Sequence, residues 1–261
     1  MSLISFVSAK GSPGVTRTVA GLARVWPRKS VVADLDPIGG DLTYVLRDPD
    51  GEPLGEDRGL LSLGAAVRGG ARSAVADHVQ PTADGLSVLV GVARPSQVQA
   101  LGASWPHVAG SLAAYDGDVL VDCGRVHPGA ATMPVLERSD AVVFVLRSDV
   151  PSVAHLRERL TGLREPLRIG AIDGIPIGFV VVGDPKEQRA ADDIERLLAS
   201  AGITATSLGV VAHDPKTLRI LHTEDGRAVR RSVLVRSLVD LAGRVESLAA
   251  SRTLATQAVV R

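Results

Sequence analysis

Residues 9–16 read AKGSPGVT, and they join an apolar run at residues 3–7 to a segment with helical apolar spacing at residues 19–25. A strand, a glycine-containing loop and a helix start predict a phosphate cradle, because unpaired backbone N–H groups and the positive helix end converge there. The usual P-loop reads G-x-x-x-x-G-K-[ST]. Here Gly14 and Thr16 fit that pattern, but Val15 replaces its lysine, and a lysine stands earlier, at Lys10. The alternative is a turn that simply joins a strand to a helix, and later motifs decide between the two.

Composition limits the class of protein. A chain of 261 residues with 45% apolar content suits one large α/β domain. Its 29 acidic and 29 basic residues disfavour a protein whose whole surface binds nucleic acid. The single cysteine, Cys123, excludes a disulfide framework and any zinc or iron–sulfur site built within one chain. Neither a signal peptide nor a spanning segment is evident, so we expect a cytoplasmic protein.

Short β-branched runs alternate with longer helical patterns along the chain. This alternation predicts an α/β fold with a doubly wound, mostly parallel sheet and helices on both faces. The predicted strands are residues 3–8, 30–34, 85–90, 119–122, 141–146, 177–182 and 207–211. The predicted helices are residues 16–26, 60–67, 96–103, 152–163, 185–201, 216–222 and 229–251. We expect one domain over residues 1–252 and a frayed tail over residues 253–261.

Acidic residues end two of the predicted strands. Asp34 and Asp36 close the second strand and are followed by a Pro-Ile-Gly-Gly turn, so both carboxylates are expected at the ligand edge of the sheet. The run VLVD at residues 119–122 ends in Asp122, with Gly124 just after it. An apolar strand ending in Asp is a Walker B pattern, in which the carboxylate holds Mg²⁺. Each feature alone is also compatible with a polar strand end; their order after the loop favours a site.

In this order the motifs resemble the ParA/MinD family of deviant Walker A P-loop ATPases, whose loop usually reads K-G-G-x-G-K-[ST]. The resemblance implies a P-loop NTPase fold, with ATP and Mg²⁺ as cofactors. It also implies that Lys10 acts catalytically by reaching across an ATP-dependent homodimer to the partner's nucleotide. By the same resemblance Asp36 is catalytic and helps to orient the attacking water, and Thr16, Asp36 and Asp122 hold the metal.

The resemblance also assigns the contacts to the nucleotide. The residues expected to contact it are Gly11, Ser12, Pro13, Gly14, Val15, Thr16, Arg17, Gly124 and Asp214. Asp214 has two readings, because it can contact adenine or simply cap the helix predicted at residues 216–222. Gly183 stands where many relatives carry an asparagine that contacts the base, which weakens the expectation of adenine selectivity.

The missing loop lysine has a chemical consequence. That lysine normally bonds the β- and γ-phosphates and neutralises charge in the transition state. Losing one such charge costs about 2–4 kcal/mol of transition-state stabilisation. We therefore expect slow or no ATP hydrolysis. The resemblance implies a switch that dimerises on ATP and positions a cargo such as a chromosome, a plasmid, a pilus or a secretion machine. A chromosomal ParA-like protein and a relative of the TadZ/CpaE proteins are both compatible, as is a nucleotide-independent scaffold that binds an unknown protein partner.

A second partner is suggested by basic residues near the last predicted helix. They are Arg227, Arg230, Arg231, Arg236 and Arg244. ParA proteins use a basic surface assembled in the dimer to bind DNA without sequence specificity, so these arginines are candidates for DNA binding. A solvated helix face is an equally good reading of the same residues.

Overall fold

The computed structural model describes residues 1–68 and 74–259. Within these ranges the strands are β1 (Leu3–Ser8), β2 (Ser30–Asp34), β3 (Gln80–Pro81), β4 (Ser87–Leu89), β5 (Asp118–Arg125), β6 (Ala141–Leu146), β7 (Ile177–Gly183) and β8 (Thr206–Ala212). They form one sheet in the order β3-β4-β2-β5-β1-β6-β7-β8. All neighbouring strands are parallel except β3 and β4. β1 therefore lies at the centre, between β5 and β6.

Helices cover both faces of this sheet. Over the same ranges they are α1 (Val15–Val25), α2 (Leu42–Val45), α3 (Leu60–Arg68), α4 (Pro95–Leu101), α5 (Trp105–Ala113), α6 (Met133–Arg138), α7 (Val150–Gly162), α8 (Gln188–Ser200), α9 (Pro215–Ile220), α10 (Arg227–Arg230) and α11 (Val233–Val259). The doubly wound, mostly parallel fold predicted from the alternating pattern is confirmed. None of these helices combines the length and hydrophobicity that crossing a membrane requires.

Alternation of side chains along the strands creates two apolar cores. In β1, Leu3 and Val7 belong to one buried cluster, whereas Ile4 and Phe6 belong to the other. Successive strand residues point to opposite faces, so both faces of a central strand need apolar side chains. This explains why the central strands read as continuous apolar runs in the sequence.

Helix α1, which follows the loop of residues 9–14, is fixed by contacts along its length and just beyond its end. Gly21, in the middle of α1, lies against α11: a Cβ there would come 3.0 Å from a methyl carbon of Leu238. Just past the end of α1, the indole Nε1 of Trp26 donates to the buried carboxylate of Asp118 at 2.8 Å. Packing along the helix and a buried hydrogen bond beyond it therefore fix the position of the loop that precedes it.

Several elements were missed from the sequence for identifiable reasons. Helices α5 and α6 each carry a proline near their start, which reads as a breaker but is tolerated in the first helical turn. β3 spans two residues, too short for a periodic pattern. The last predicted helix, residues 229–251, is divided into α10 and α11, and α11 continues to Val259. Residues 253–259 of the expected tail are thus helical, and residues 260–261 lie outside the described residues.

Candidate functional site

The loop between β1 and α1 has the backbone geometry of a phosphate cradle. Gly11 has φ 73° and Gly14 has φ 106°, conformations that strongly favour glycine. Gly14 is the N-cap of α1, and no side chain caps this helix end. The first turn of α1 also contains no acidic residue. Backbone N–H groups at the positive end of α1 are therefore left to bind an anion.

A cavity of about 710 Å³ opens at this loop, beyond the carboxyl ends of the strands. Eight of the nine residues expected to contact nucleotide line it: Gly11, Ser12, Pro13, Gly14, Val15, Thr16, Arg17 and Gly124. Asp36 lines it as well. Lys10, Asp122 and Asp214 do not belong to the lining.

Strand register brings the acidic strand ends together. Asp34 of β2 pairs directly with Asp122 of β5 across the parallel ladder. Both side chains are buried. The oxygens of Asp34 accept the backbone N–H groups of Asp36 and Leu42, both at 3.3 Å. Asp34 therefore shapes the loop after β2 rather than facing a ligand.

Asp122 differs from Asp34 in having a free oxygen. Its Oδ1 accepts the N–H of Gly124 at 2.8 Å. Its Oδ2 is buried and has no hydrogen-bond partner in the described part of the chain. A buried carboxylate oxygen without a partner is costly, and such an atom commonly marks the place of an ion or water. The Thr16 hydroxyl lies close enough to oppose the rise in the pKa of Asp122.

Asp36 lies directly against Gly124. Its Oδ1 accepts the N–H of Ile38 at 2.9 Å, which fixes the start of the turn after β2. The space that a Cβ on Gly124 would need is filled by the Asp36 carboxyl group, and Gly124 has φ 60°. A larger residue at position 124 would thus be excluded by both contact and conformation. The loops after β2 and β5 meet at this pair.

These acids disfavour each other's charge. Burial raises the pKa of Asp34 well above its ordinary value, and the charge of Asp122 adds to the effect. Burial likewise raises the pKa of Asp122, with the charges of Asp36 and Asp41 adding and the Thr16 hydroxyl and a backbone amide opposing. The pKa of Asp36 is raised too, mainly by burial. A bound cation would favour the charged form of each carboxylate.

The donors suit a magnesium ion held together with phosphates. Across residues 1–68 and 74–259, no group of three histidine, cysteine, aspartate or glutamate side chains is arranged to hold a metal alone. Magnesium in nucleotide sites instead uses one or two carboxylates, a hydroxyl, waters and phosphate oxygens. The Asp122 carboxylate, which has one unpartnered oxygen and lies near the Thr16 hydroxyl, fits that set of ligands.

Three arginines line the cavity. Arg17, Arg125 and Arg147 are exposed, and none forms a side-chain hydrogen bond or ion pair within the described ranges. Sequence reasoning named Arg17 as a nucleotide contact and missed Arg125 and Arg147. Arg125 is the last residue of β5 and Arg147 follows β6, so their place at the ends of parallel strands was a usable signal.

The far end of the cavity is apolar. Its lining there consists of Val182, Val211, Ala212, Leu218, Leu234 and Leu238. Asp214 lies nearby but is engaged as a cap of α9: Oδ1 accepts the Thr217 N–H at 3.0 Å and Oδ2 accepts the Thr217 hydroxyl at 2.6 Å. The Glu187 carboxylate occupies the space beside Gly183, 2.8 Å from where a Cβ would stand.

Neither Lys10 nor Val15 brings a positive charge to the cavity of its own chain, for different reasons. Lys10 is exposed, and its Nζ lies 3.0 Å from Nε2 of His155 on α7. The side chain of Val15 is 7% exposed and packs into the apolar core between the sheet and α11. No lysine of the same chain therefore faces the cavity among the residues that line it.

The arginines near the last helix are not equivalent. Arg230 binds Asp225, with its Nη2 3.0 Å from Oδ2, and the guanidinium of Arg244 lies over Gly209. Arg227, Arg231 and Arg236 are exposed and have no side-chain partner in the described part of the protein. Arg244 is exposed as well and forms no hydrogen bond or ion pair in that part, so four of the five remain available to an anionic surface.

Solved structures similar to this chain include ParA and MinD proteins. The cell division ATPase MinD of Pyrococcus furiosus is 22% identical, with 95% of this chain and 99% of that chain covered and a TM-score of 0.69. A ParA family ATPase of Chlorobium tepidum is 21% identical, with 92% and 98% covered and a TM-score of 0.68. The septum site-determining protein MinD of Pyrococcus horikoshii, solved with Mg-ADP, is 19% identical, with 96% and 98% covered and a TM-score of 0.68.

This similarity confirms, at the level of the fold, the resemblance that the motifs predicted. The chain has the fold of the ParA/MinD ATPases. No protein-family model and no curated protein matches the sequence.

The buried carboxylate of Asp122 predicts a pH-dependent effect of Asp122→Asn on the nucleotide-free protein. Well below a pH of about 4 the carboxyl group is protonated in both folded and unfolded chains, so its burial costs no charge. As the pH rises, the unfolded chain loses its proton first, and wild-type stability falls until the raised native pKa is passed. Asparagine carries no charge, so the variant gains relative to wild type by up to about 1.4 kcal/mol for each unit of pKa shift.

Urea unfolding between pH 4 and pH 8 measures this difference. Asp50→Asn, at an exposed loop carboxylate, is the matched control, and we expect it to show little change across the range. A stability difference between wild type and Asp122→Asn that does not vary with pH would contradict the electrostatic origin of the effect.

Proposed function

We propose that this chain is a cytoplasmic nucleotide switch of the ParA/MinD type, which binds Mg-ATP, dimerises on it and positions a cellular cargo. One observation carries the proposal: the uncapped start of α1 faces a cavity next to Asp122, one buried oxygen of which has no hydrogen-bond partner in the described part of the chain. An anion site and a cation site thus adjoin each other, as a magnesium–triphosphate ligand requires.

Different residues of the site would contact different parts of the ligand. Backbone N–H groups of residues 11–16 would bind the phosphates, with the dipole of α1 favouring their charge. Thr16, Asp122 and Asp36 would hold Mg²⁺, which when bound offsets the negative charge of phosphates and carboxylates. The apolar end of the cavity, with Leu218 and Leu234, suits the flat face of a base.

Slow hydrolysis follows from the residue at position 15. Val15 is packed into the core and offers no charge to the phosphates. Asp36 lines the cavity and in this proposal would orient the attacking water, but the cradle lacks the lysine that stabilises charge in the transition state. We propose a weak ATPase in which nucleotide binding, more than turnover, sets the state of the protein.

Exposed residues around the cavity favour a face-to-face dimer. Ile38, which lines the cavity, is 71% exposed, and Val150, which follows the carboxyl end of β6, is 82% exposed. Lys10 is exposed at the same edge of the sheet and is held away from its own cavity by His155. A second copy placed over this face would cover the apolar side chains and receive Lys10 at its nucleotide.

The proposed cargo is drawn from the solved structures with this fold, which include a cell division ATPase and a ParA family ATPase. We propose a role in partitioning DNA or in locating a pilus or secretion machine through a protein partner. The competing proposal is a nucleotide-independent scaffold that keeps the fold for partner binding, and the buried Val15 is the observation that favours it.

DNA is a second proposed partner, because Arg227, Arg231 and Arg236 are exposed without side-chain partners in the described chain. If they contact phosphates, ATP-dependent DNA binding should weaken steeply as salt rises, through counterion release. Gel-shift titrations of wild type and a triple Arg→Gln variant at two salt concentrations measure this. Equal binding by both proteins would contradict the proposal.

Lys10→Ala should abolish ATP-dependent dimerisation and leave the monomer folded. Lys10 is exposed and contributes little to stability, whereas its amine is the group that would reach the partner's nucleotide. Light scattering with and without Mg-ATP measures the mass. Lys29→Ala is the matched control, because Lys29 is an exposed lysine four residues after the end of α1 and directly before β2, at the opposite edge of the sheet. A wild-type dimer that is equally stable without ATP and unaffected by Lys10→Ala would rule out the switch.

Val15→Lys should raise ATP hydrolysis. Recovering even ~1.4 kcal/mol of the barrier gives about a tenfold faster release of phosphate. Val15→Met is the matched control, because it adds a long unbranched side chain without charge. Turnover that stays at background in Val15→Lys while the variant remains folded would show that the defect extends beyond this residue, and would favour the scaffold.

A further inference from the structure

Arg125 stands at the base of the phosphate cradle. It is the last residue of β5 and pairs with Ser8, the residue of β1 that precedes the loop. The backbone there is fixed, since Val126 N–H donates to the carbonyl oxygen of Ser8 at 3.1 Å. The side chain of Arg125 is exposed, lines the cavity and has no hydrogen-bond or ion-pair partner within residues 1–68 and 74–259.

The cavity has few other positive groups to offer a triphosphate. Arg17 lies in the first turn of α1, next to Thr16. Arg147 follows β6, on the other side of β1, and its charge acts on Asp149 at the start of α7. His127 and His213 also line the cavity. These positions surround the cradle from different sides and are not equivalent.

Arg125 differs from the other two arginines in its neighbours. It directly follows Gly124, whose Cα lies against the Asp36 carboxyl group. Its charge is near enough to Asp36 to oppose the rise in the pKa of that group. Asp36, which lines the cavity, and the buried Asp122 mark the region where the metal and the terminal phosphate would lie, and Arg125 is the arginine whose charge acts on Asp36 there.

We propose that Arg125 supplies the positive charge at the terminal phosphate that Val15 does not provide. The inference rests on the proposed binding of Mg-ATP and assigns the residue that contacts the third phosphate. A guanidinium can bond two phosphate oxygens at once, which suits this role. An exposed, unpartnered side chain on a fixed strand end can reach the ligand without breaking an existing contact.

The proposal predicts that Arg125 distinguishes ATP from ADP. Equilibrium titrations of fluorescent ATP and ADP with Mg²⁺ give both affinities for wild type and Arg125→Gln. Removing a charge-assisted hydrogen bond should weaken the affinity for ATP by about tenfold or more, while the affinity for ADP changes by less than about threefold. Arg125→Lys should retain most of the preference for ATP. Arg138→Gln, at an exposed arginine outside the cavity, should leave both affinities unchanged.

Specific outcomes would overturn the proposal. They are an equal loss of ATP and ADP affinity in Arg125→Gln, no change in either, or a loss of ATP preference in Arg147→Gln instead. If wild type binds neither nucleotide, the proposed function fails as well; if it binds both and only the Arg125 result fails, the proposed function stands. Thermal unfolding without nucleotide should be the same for wild type and Arg125→Gln, which shows that the variant is folded.

Discussion

The parallel pairing of β5 with both β1 and β2 is the constraint on which the site depends. It places Asp122 opposite Asp34 and Arg125 opposite Ser8. One strand thus positions a carboxylate next to the loop after β2 and a guanidinium next to the loop after β1. Side chains on a parallel ladder keep a fixed spacing, and the strand ends share one edge of the sheet. A shift of one residue in this register would send Asp122 to the opposite face of the sheet.

The same register creates an electrostatic cost. Asp34, Asp36 and Asp122 are crowded and at least partly buried, and their pKa values are all raised. Asp34 is compensated by two backbone N–H groups, whereas one oxygen of Asp122 has no partner among the described residues. Functional sites commonly retain such uncompensated groups, because a ligand supplies the missing interaction. The positive side chains across the cavity carry the complementary charge.

The sequence predicted the fold well because the relevant signals are local. Buried parallel strands read as apolar runs, and β1, β2 and β6 were predicted with the bounds that the structure has. The acids at strand ends could be located in the same way. Arg125 and Arg147 also stand at strand ends, which made them candidates, but whether such an arginine turns into a cavity or toward solvent depends on the neighbouring loops and could not be predicted. The outward position of Lys10 against His155 likewise depends on α7, more than 100 residues away in the chain.

Equilibrium binding of ATP to the wild-type protein, in the presence of Mg²⁺ and again with the metal chelated, tests the magnesium–nucleotide site most directly. The loop lacks the usual lysine, but Asp122 has an unpartnered oxygen that Mg²⁺ can bind. The protein should therefore bind ATP measurably with Mg²⁺ and clearly more weakly without it, since in the absence of the metal nothing offsets the charges of Asp36 and Asp122. Affinity that is independent of Mg²⁺, or no binding at millimolar nucleotide, would contradict this site and favour a nucleotide-independent scaffold.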